Sequence, residues 1–226
     1  MAWLTRMWRS ISAWLFGSKP AAAPTTPPDP PKPAEATVFN PLGYTVGTPL
    51  QLQGIDFNGV TFRVVKLSQF ESSVSGEQWC DYSLVGAKDG IDQAVRLRAY
   101  KKYGQLKLIA LHLHEETDAE SGIAGALEDP EGKFIITTDG VEAHYVRLDG
   151  RRKAIVGTVT DLADTDGSGK VDVNEVTKRY VTVWDYSRKT QLDGVNVVQY
   201  AFVEFDRKDT YRVEFGYVLH PDSILD

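Results

Sequence analysis

Residues 60–66 read Val-Thr-Phe-Arg-Val-Val-Lys, and that stretch decides the fold. Phe62 and Val64 alternate with Thr61, Arg63 and Val65. A period of two sends successive side chains to opposite faces of a strand. The same texture recurs over residues 78–85, 94–100, 106–114, 133–138, 142–148, 153–159, 179–186, 195–205 and 210–218, all rich in Val, Ile, Tyr, Phe and Thr. Between them stand Asn58-Gly59, Asp89-Gly90, Asp139-Gly140, Asp149-Gly150 and Asp193-Gly194. Such pairs tolerate the positive φ of tight hairpin turns. Only residues 119–127 have a helical look, and they contain two glycines. Many short antiparallel runs predict an all-β domain, a sandwich or an open barrel. No solenoid repeat stands out, though two similar β halves fit the spacing.

Working outward, the whole chain has 226 residues, of which 42% are hydrophobic and 25% charged, as in ordinary globular proteins. Its net charge of −6 argues against a whole-protein nucleic-acid binder, which needs a basic footprint. Cys80 is the single cysteine, so no intrachain disulfide and no all-cysteine zinc site can form. No run of apolar residues is long enough for a transmembrane helix.

The charge is uneven. Residues 1–36 hold Arg6, Arg9, Lys19 and Lys32 against Asp29 and Glu35, so a basic head precedes an acidic body. Seven of the 11 prolines fall between Pro20 and Pro33. That composition favours extended polyproline geometry, about 3.1 Å per residue, and makes a spacer. A docking site for a proline-binding domain is the alternative. The expected organisation is a helix over 1–17, a linker over 18–37 and a β-rich domain over 38–226.

The head reads MAWLTRMWRSISAWLFG. Trp3, Leu4, Met7, Trp8, Ile11, Trp14 and Leu15 follow the spacing of one helical face, with Arg6 and Arg9 opposite. Tryptophan favours the headgroup region, where its ring is apolar and its N–H stays wet. This is the pattern of an amphipathic helix lying in an anionic membrane surface. Partial burial of these side chains at roughly 1 kcal/mol each gives reversible attachment. Docking to a partner protein or self-association, and a secretory signal, are the alternatives, the last weakened by Ser10 and Ser12 within its apolar run.

One loop carries metal-ligand spacing. Residues 164–175 read DTDGSGKVDVNE. Asp164, Asp166 and Ser168 take positions 1, 3 and 5 of a calcium loop, and Gly169 takes position 6. Lys170 offers its carbonyl at 7, Asp172 sits at 9 and Glu175 supplies the bidentate position 12. The flanks look like strand, so a helix–loop–helix unit is not expected, and an ion-free Asp/Gly loop competes with calcium. His112 and His114 form an H-x-H, with His144 the nearest third ligand on offer, but two exposed histidines at a strand end are commoner. Cys80 reads as a small buried hydrophobe. Lys101-Lys102 and Arg151-Arg152-Lys153 read as solvated turns. Trp184, Asp185, Tyr186 and Arg188 form an aromatic–polar cluster; core packing explains Trp184 and Tyr186, and a shallow ligand or peptide groove lined by Trp184, Tyr186 and Arg188 is the alternative. No catalytic signature stands out, so no reaction and no small-molecule substrate is assigned.

The body also carries blocks of a known family. Val46-Gly47, Gly59, Phe62 and Val64 are followed by Trp79, Asp81, Tyr82 and Leu84, and later by Asp185, Tyr186, Glu204, Gly216 and Ile224. In this order they resemble the bacterial domain of unknown function 4178 over roughly residues 42–225. Asp81 stands where that family has glutamate. The resemblance implies no catalytic residue. It implies association with membrane-stress proteins, and hence a protein partner at the cytoplasmic face of the inner membrane, with export as the alternative.

Overall fold

The computed structural model describes residues 38–54, 57–138, 140–148, 153–162, 177–192, 194–206 and 210–225. The head, the proline-rich linker and the loop over 164–175 lie outside the described residues. Twelve strands follow in chain order: β1 (Pro49–Leu52), β2 (Thr61–Ser72), β3 (Gln78–Lys88), β4 (Ile91–Lys102), β5 (Gln105–Asp118), β6 (Lys133–Thr138), β7 (Val141–Arg147), β8 (Ile155–Leu162), β9 (Thr177–Leu192), β10 (Val195–Asp206), β11 (Thr210–Leu219) and β12 (Ile224–Leu225). The 119–127 segment supplies a 3-10 turn, Ala119–Ser121, and a short helix α1 (Ile123–Leu127).

Every described ladder is antiparallel. Sequence reasoning left a sandwich or an open barrel, and the ladder pattern goes one step further. Strands β2, β3, β4, β5, β11, β10 and β9 lie side by side, and β8 pairs with both β2 and β9. The eight strands therefore close into a ring. Closure works because β2 and β9 are long enough to change partners. Thr61–Arg63 pairs with β1 and Leu67–Ser72 with β8. Likewise Thr177–Val183 pairs with β8, while Tyr186-Ser187 pairs with β7.

The ring consists of two four-stranded meanders, β2–β5 and β8–β11, related by an approximate two-fold. Asp81-Tyr82-Ser83 on β3 recurs as Asp185-Tyr186-Ser187 on β9. Asp81 lies opposite Arg98 and Asp185 opposite Phe202, at matching places on β4 and β10. The two seams obey the same relation. At one, Leu111 meets Gly216; at the other, Ser72 meets Gly157. In each case the two residues occupy corresponding positions in their meanders.

Directly opposed residues share a face, so the ladders sort the side chains into three cores. The outer face of the first meander buries Phe62, Val64, Cys80, Tyr82, Leu84, Leu97 and Leu108 beneath Val38, Phe39, Leu42, Tyr44 and β1. The outer face of the second buries Tyr186, Ala201, Val203 and Val213 beneath α1 and the β6–β7 hairpin, through Leu127, Phe134 and Tyr145. The ring interior holds Phe70, Trp79, Ile109, Leu111, Val159, Val183 and Phe202. An eight-stranded ring has room for such a filling and little more.

Candidate functional site

The interior also contains charge. Arg98 on β4 donates from Nε to Asp81 Oδ1 (2.8 Å) and through its second amino nitrogen to Asp81 Oδ2 (2.9 Å). Its guanidinium lies between two rings from opposite walls, 4.5 Å from the centre of Trp79 and 4.6 Å from that of Phe202. Desolvated cation–π contacts of this kind are worth about 2 kcal/mol each. Nη1 of Arg98 is buried without a hydrogen-bond partner among the described residues. Trp79 in turn stacks on Phe70 at 3.6 Å between centroids.

One residue pair further along β4, Arg96 reaches Glu204 Oε2 (3.2 Å), Glu214 Oε1 (3.2 Å) and Asp81 Oδ2 (3.5 Å). Arg179 donates to Glu204 Oε1 (2.6 Å), and Arg212 bridges Glu214 (2.9 Å) and Glu116 (3.1 Å). Four arginines thus meet four carboxylates at one end of the ring. Burial alone would push the Glu204 carboxyl up; Arg96 and Arg179 outweigh it and hold it at about 2. Burial opposes the charge on Arg96, but Glu214, Glu204 and Asp81 raise its pKa above the usual guanidinium range. Near neutral pH Glu204 stays ionised. Its charge holds two walls of the ring together.

Glu204 itself suits bracing better than acid–base chemistry. A general acid or base needs a pKa near the working pH, and Glu204 has been moved away from it. Cys80 faces the first outer core, fully buried, and burial pushes its thiol up to about 12. A nucleophilic cysteine needs the opposite shift.

Tyr186 is buried in the second outer core, stacked on Phe134 at 5.0 Å, with Arg147 over its ring. Half-buried Trp184 packs near Tyr211, and Arg188 donates to Gln199 Oε1 (2.7 Å) with Tyr145 beneath it. All three share the outer face of β9, which α1 and the β6–β7 hairpin pack against. His112 stacks on Phe57 and His114 lies against Phe215, whereas His144 sits beside Glu142 on β7. Among the described residues no group of three or more His, Cys, Asp or Glu is placed to hold a metal.

Asp164, Asp166, Ser168, Lys170, Asp172 and Glu175 fall in the β8–β9 connection, outside the described residues. Its ends are described: Asp161 pairs with Thr177, so the connection joins neighbouring strands of the ring. Residues 161–162 and 177–179 are strand. The membrane-binding candidates Trp3, Leu4, Arg6, Met7, Trp8, Arg9, Ile11, Trp14 and Leu15 also lie outside the described residues. No described helix is long and apolar enough to cross a membrane.

An open cleft of about 550 Å³ lies over Thr61, Arg63, Val85, Gly86, Asp92 and Ala94. Gly86 there is explained by packing, since a Cβ would come within 2.8 Å of the Thr61 carbonyl oxygen. Compared with known proteins, the chain matches no family model, and no curated protein or solved structure is significantly similar to it.

Proposed function

We propose that the protein is a non-catalytic, membrane-peripheral adaptor. The head over residues 1–17 lies in an anionic lipid surface, the linker holds the β domain off that surface, and the domain binds a protein partner. The observation that carries this reading is the sequence spacing of Trp3, Leu4, Met7, Trp8, Ile11, Trp14 and Leu15, which fits one helical face, with Arg6 and Arg9 out of phase with it. Two features of the domain support a binding role: the ring interior is filled with side chains, and its charged groups neutralise one another. The resemblance to the domain of unknown function 4178 points to envelope stress as the setting and the cytoplasmic face of the inner membrane as the place. The test is flotation with anionic liposomes. The full chain is expected to float and the chain lacking residues 2–17 to stay behind. Equal flotation of both overturns the anchor.

The spacing of Asp164, Asp166, Ser168, Lys170, Asp172 and Glu175 favours a second reading, a calcium-dependent binding module. A single site without a paired neighbour would bind weakly. Calorimetric titration with calcium should give heat that Asp164→Ala and Glu175→Gln abolish. Absence of heat at millimolar calcium removes this reading.

A further inference from the structure

We propose that β6 is the seam of a homodimer, in which Ile135 of one copy lies opposite Ile135 of a second copy in an antiparallel pair. β6 ends the sheet, and among the described residues it pairs with β7 alone. Arg147 N–H donates to the Gly132 carbonyl (2.9 Å), which sets the ladder phase. Gly132, Phe134 and Ile136 then direct their backbone groups to β7, while those of Lys133, Ile135 and Thr137 point to the open edge. Asp129 takes the Lys133 N–H (2.7 Å), leaving Ile135 and Thr137 as the edge donors without a partner among the described residues.

This edge lacks the usual protections. It has no proline, its only charge is Lys133 at one end, and the β-branched Ile135 is 47% exposed. The strand is also complementary to itself. With Ile135 on the two-fold axis, the two Ile135 residues exchange both backbone hydrogen bonds, and each Thr137 N–H meets the Lys133 carbonyl of the other copy. Phe134 falls opposite Ile136, so the inward faces stay inward. Lys133, whose ammonium pairs with Glu131, falls opposite neutral Thr137, whose β7 neighbour is Glu142, so no like charges oppose one another across the seam. A pairing in which each surface sees its own copy is the commonest closed symmetry.

A six-residue edge buries less surface than a permanent dimer needs, so the association is expected to depend on concentration. The pairing does not rest on the adaptor reading. If both hold, each particle carries two heads and binds membranes with avidity.

The test uses the full chain without lipid. Ile135→Cys and Val141→Cys are oxidised separately and run on non-reducing gels; buried Cys80 is common to both. Ile135→Cys should run at twice the monomer mass and Val141→Cys as monomer. In sedimentation, the mass of the wild type should rise toward dimer with concentration, while Ile135→Lys, which opposes two ammonium groups on the axis, stays monomeric. Failure of Ile135→Cys to cross-link, equal cross-linking of both variants, or Ile135→Lys sedimenting as the wild type does would overturn the proposal.

Discussion

Glu204 shows what a single side chain contributes here. Its carboxyl is ordinary in the unfolded chain, with a pKa of 4.5, and is held at about 2 in the fold. A depressed carboxylate adds stability that is fully present above its unfolded pKa and is lost as pH falls toward the folded one. The window is therefore pH 4.5 down to 2. Glu204→Gln leaves Arg96 and Arg179 under-compensated, which should cost roughly 3–5 kcal/mol near neutral pH. Urea unfolding of both proteins across the pH range should show that gap narrowing through the window. A constant gap at all pH values would mean that Glu204 acts through packing and not charge. This network was hardly legible in the sequence. Its trace is the presence of acids inside aromatic runs, Glu204 between Val203 and Phe205 and Glu214 between Val213 and Phe215, and of Arg96 and Arg98 alternating with Val95, Leu97 and Ala99. Alternation of this kind marks a strand but does not say whether its second face meets solvent, and here the second face of β4 is enclosed too. Partners that are distant in sequence enclose it, and no local period reports them.

Among the elements, the seams between meanders are the tightest places. At Gly216 a Cβ would lie 2.0 Å from the Ala110 carbonyl oxygen and 2.7 Å from Leu111 Cδ2. Glycine lets β11 approach β5 there, through space and not through an unusual φ. Gly216→Ala must push the seam apart, an overpacking cost of about 1–3 kcal/mol. Gly125→Ala in α1, where a Cβ meets nothing within 4 Å, should instead gain up to about 1 kcal/mol from helix propensity. Chemical denaturation should move the two midpoints in opposite directions. The long strands could be read from their alternation, with one instructive break. β2 extends to Ser72, but the pattern was followed only to Lys66 because a bulge lies between Val64 and Lys66. The extra residue shifts the phase, so Val64 and Leu67 both reach the outer core while Phe70 turns inward. β1 and β12 went unseen for a simpler reason. They have four residues and two, and β1 opens on proline.

For the whole molecule, the all-β class followed from composition and turn chemistry, and the possibility of two similar halves was visible in the spacing. Ring closure was not. It depends on β2 pairing with β8 and β5 with β11, and both contacts span long stretches of chain. The Asp-Tyr-Ser repeat is a clue that acquires meaning only once the matching seams are known. The candidate site residues divide in the same way. The proposals for the head and for the 164–175 loop rest on local spacing in the sequence alone, and both segments lie outside the described residues. The bracing inside the ring could not be read from such spacing, because residues from β3, β4, β9, β10 and β11 build it together.

The seams also bear on how the protein is made. Each meander supplies the outer neighbours that the other lacks. On the ribosome β2–β5 emerges first and must wait, with β5 and the Leu67–Ser72 part of β2 unpaired on their outer edges, until β8–β11 has been synthesised. Contacts so far apart along the chain form slowly, and unpaired strands in a nascent polypeptide attract wrong partners. Translation speed and chaperone supply are therefore expected to govern the yield of native protein more than its final stability does.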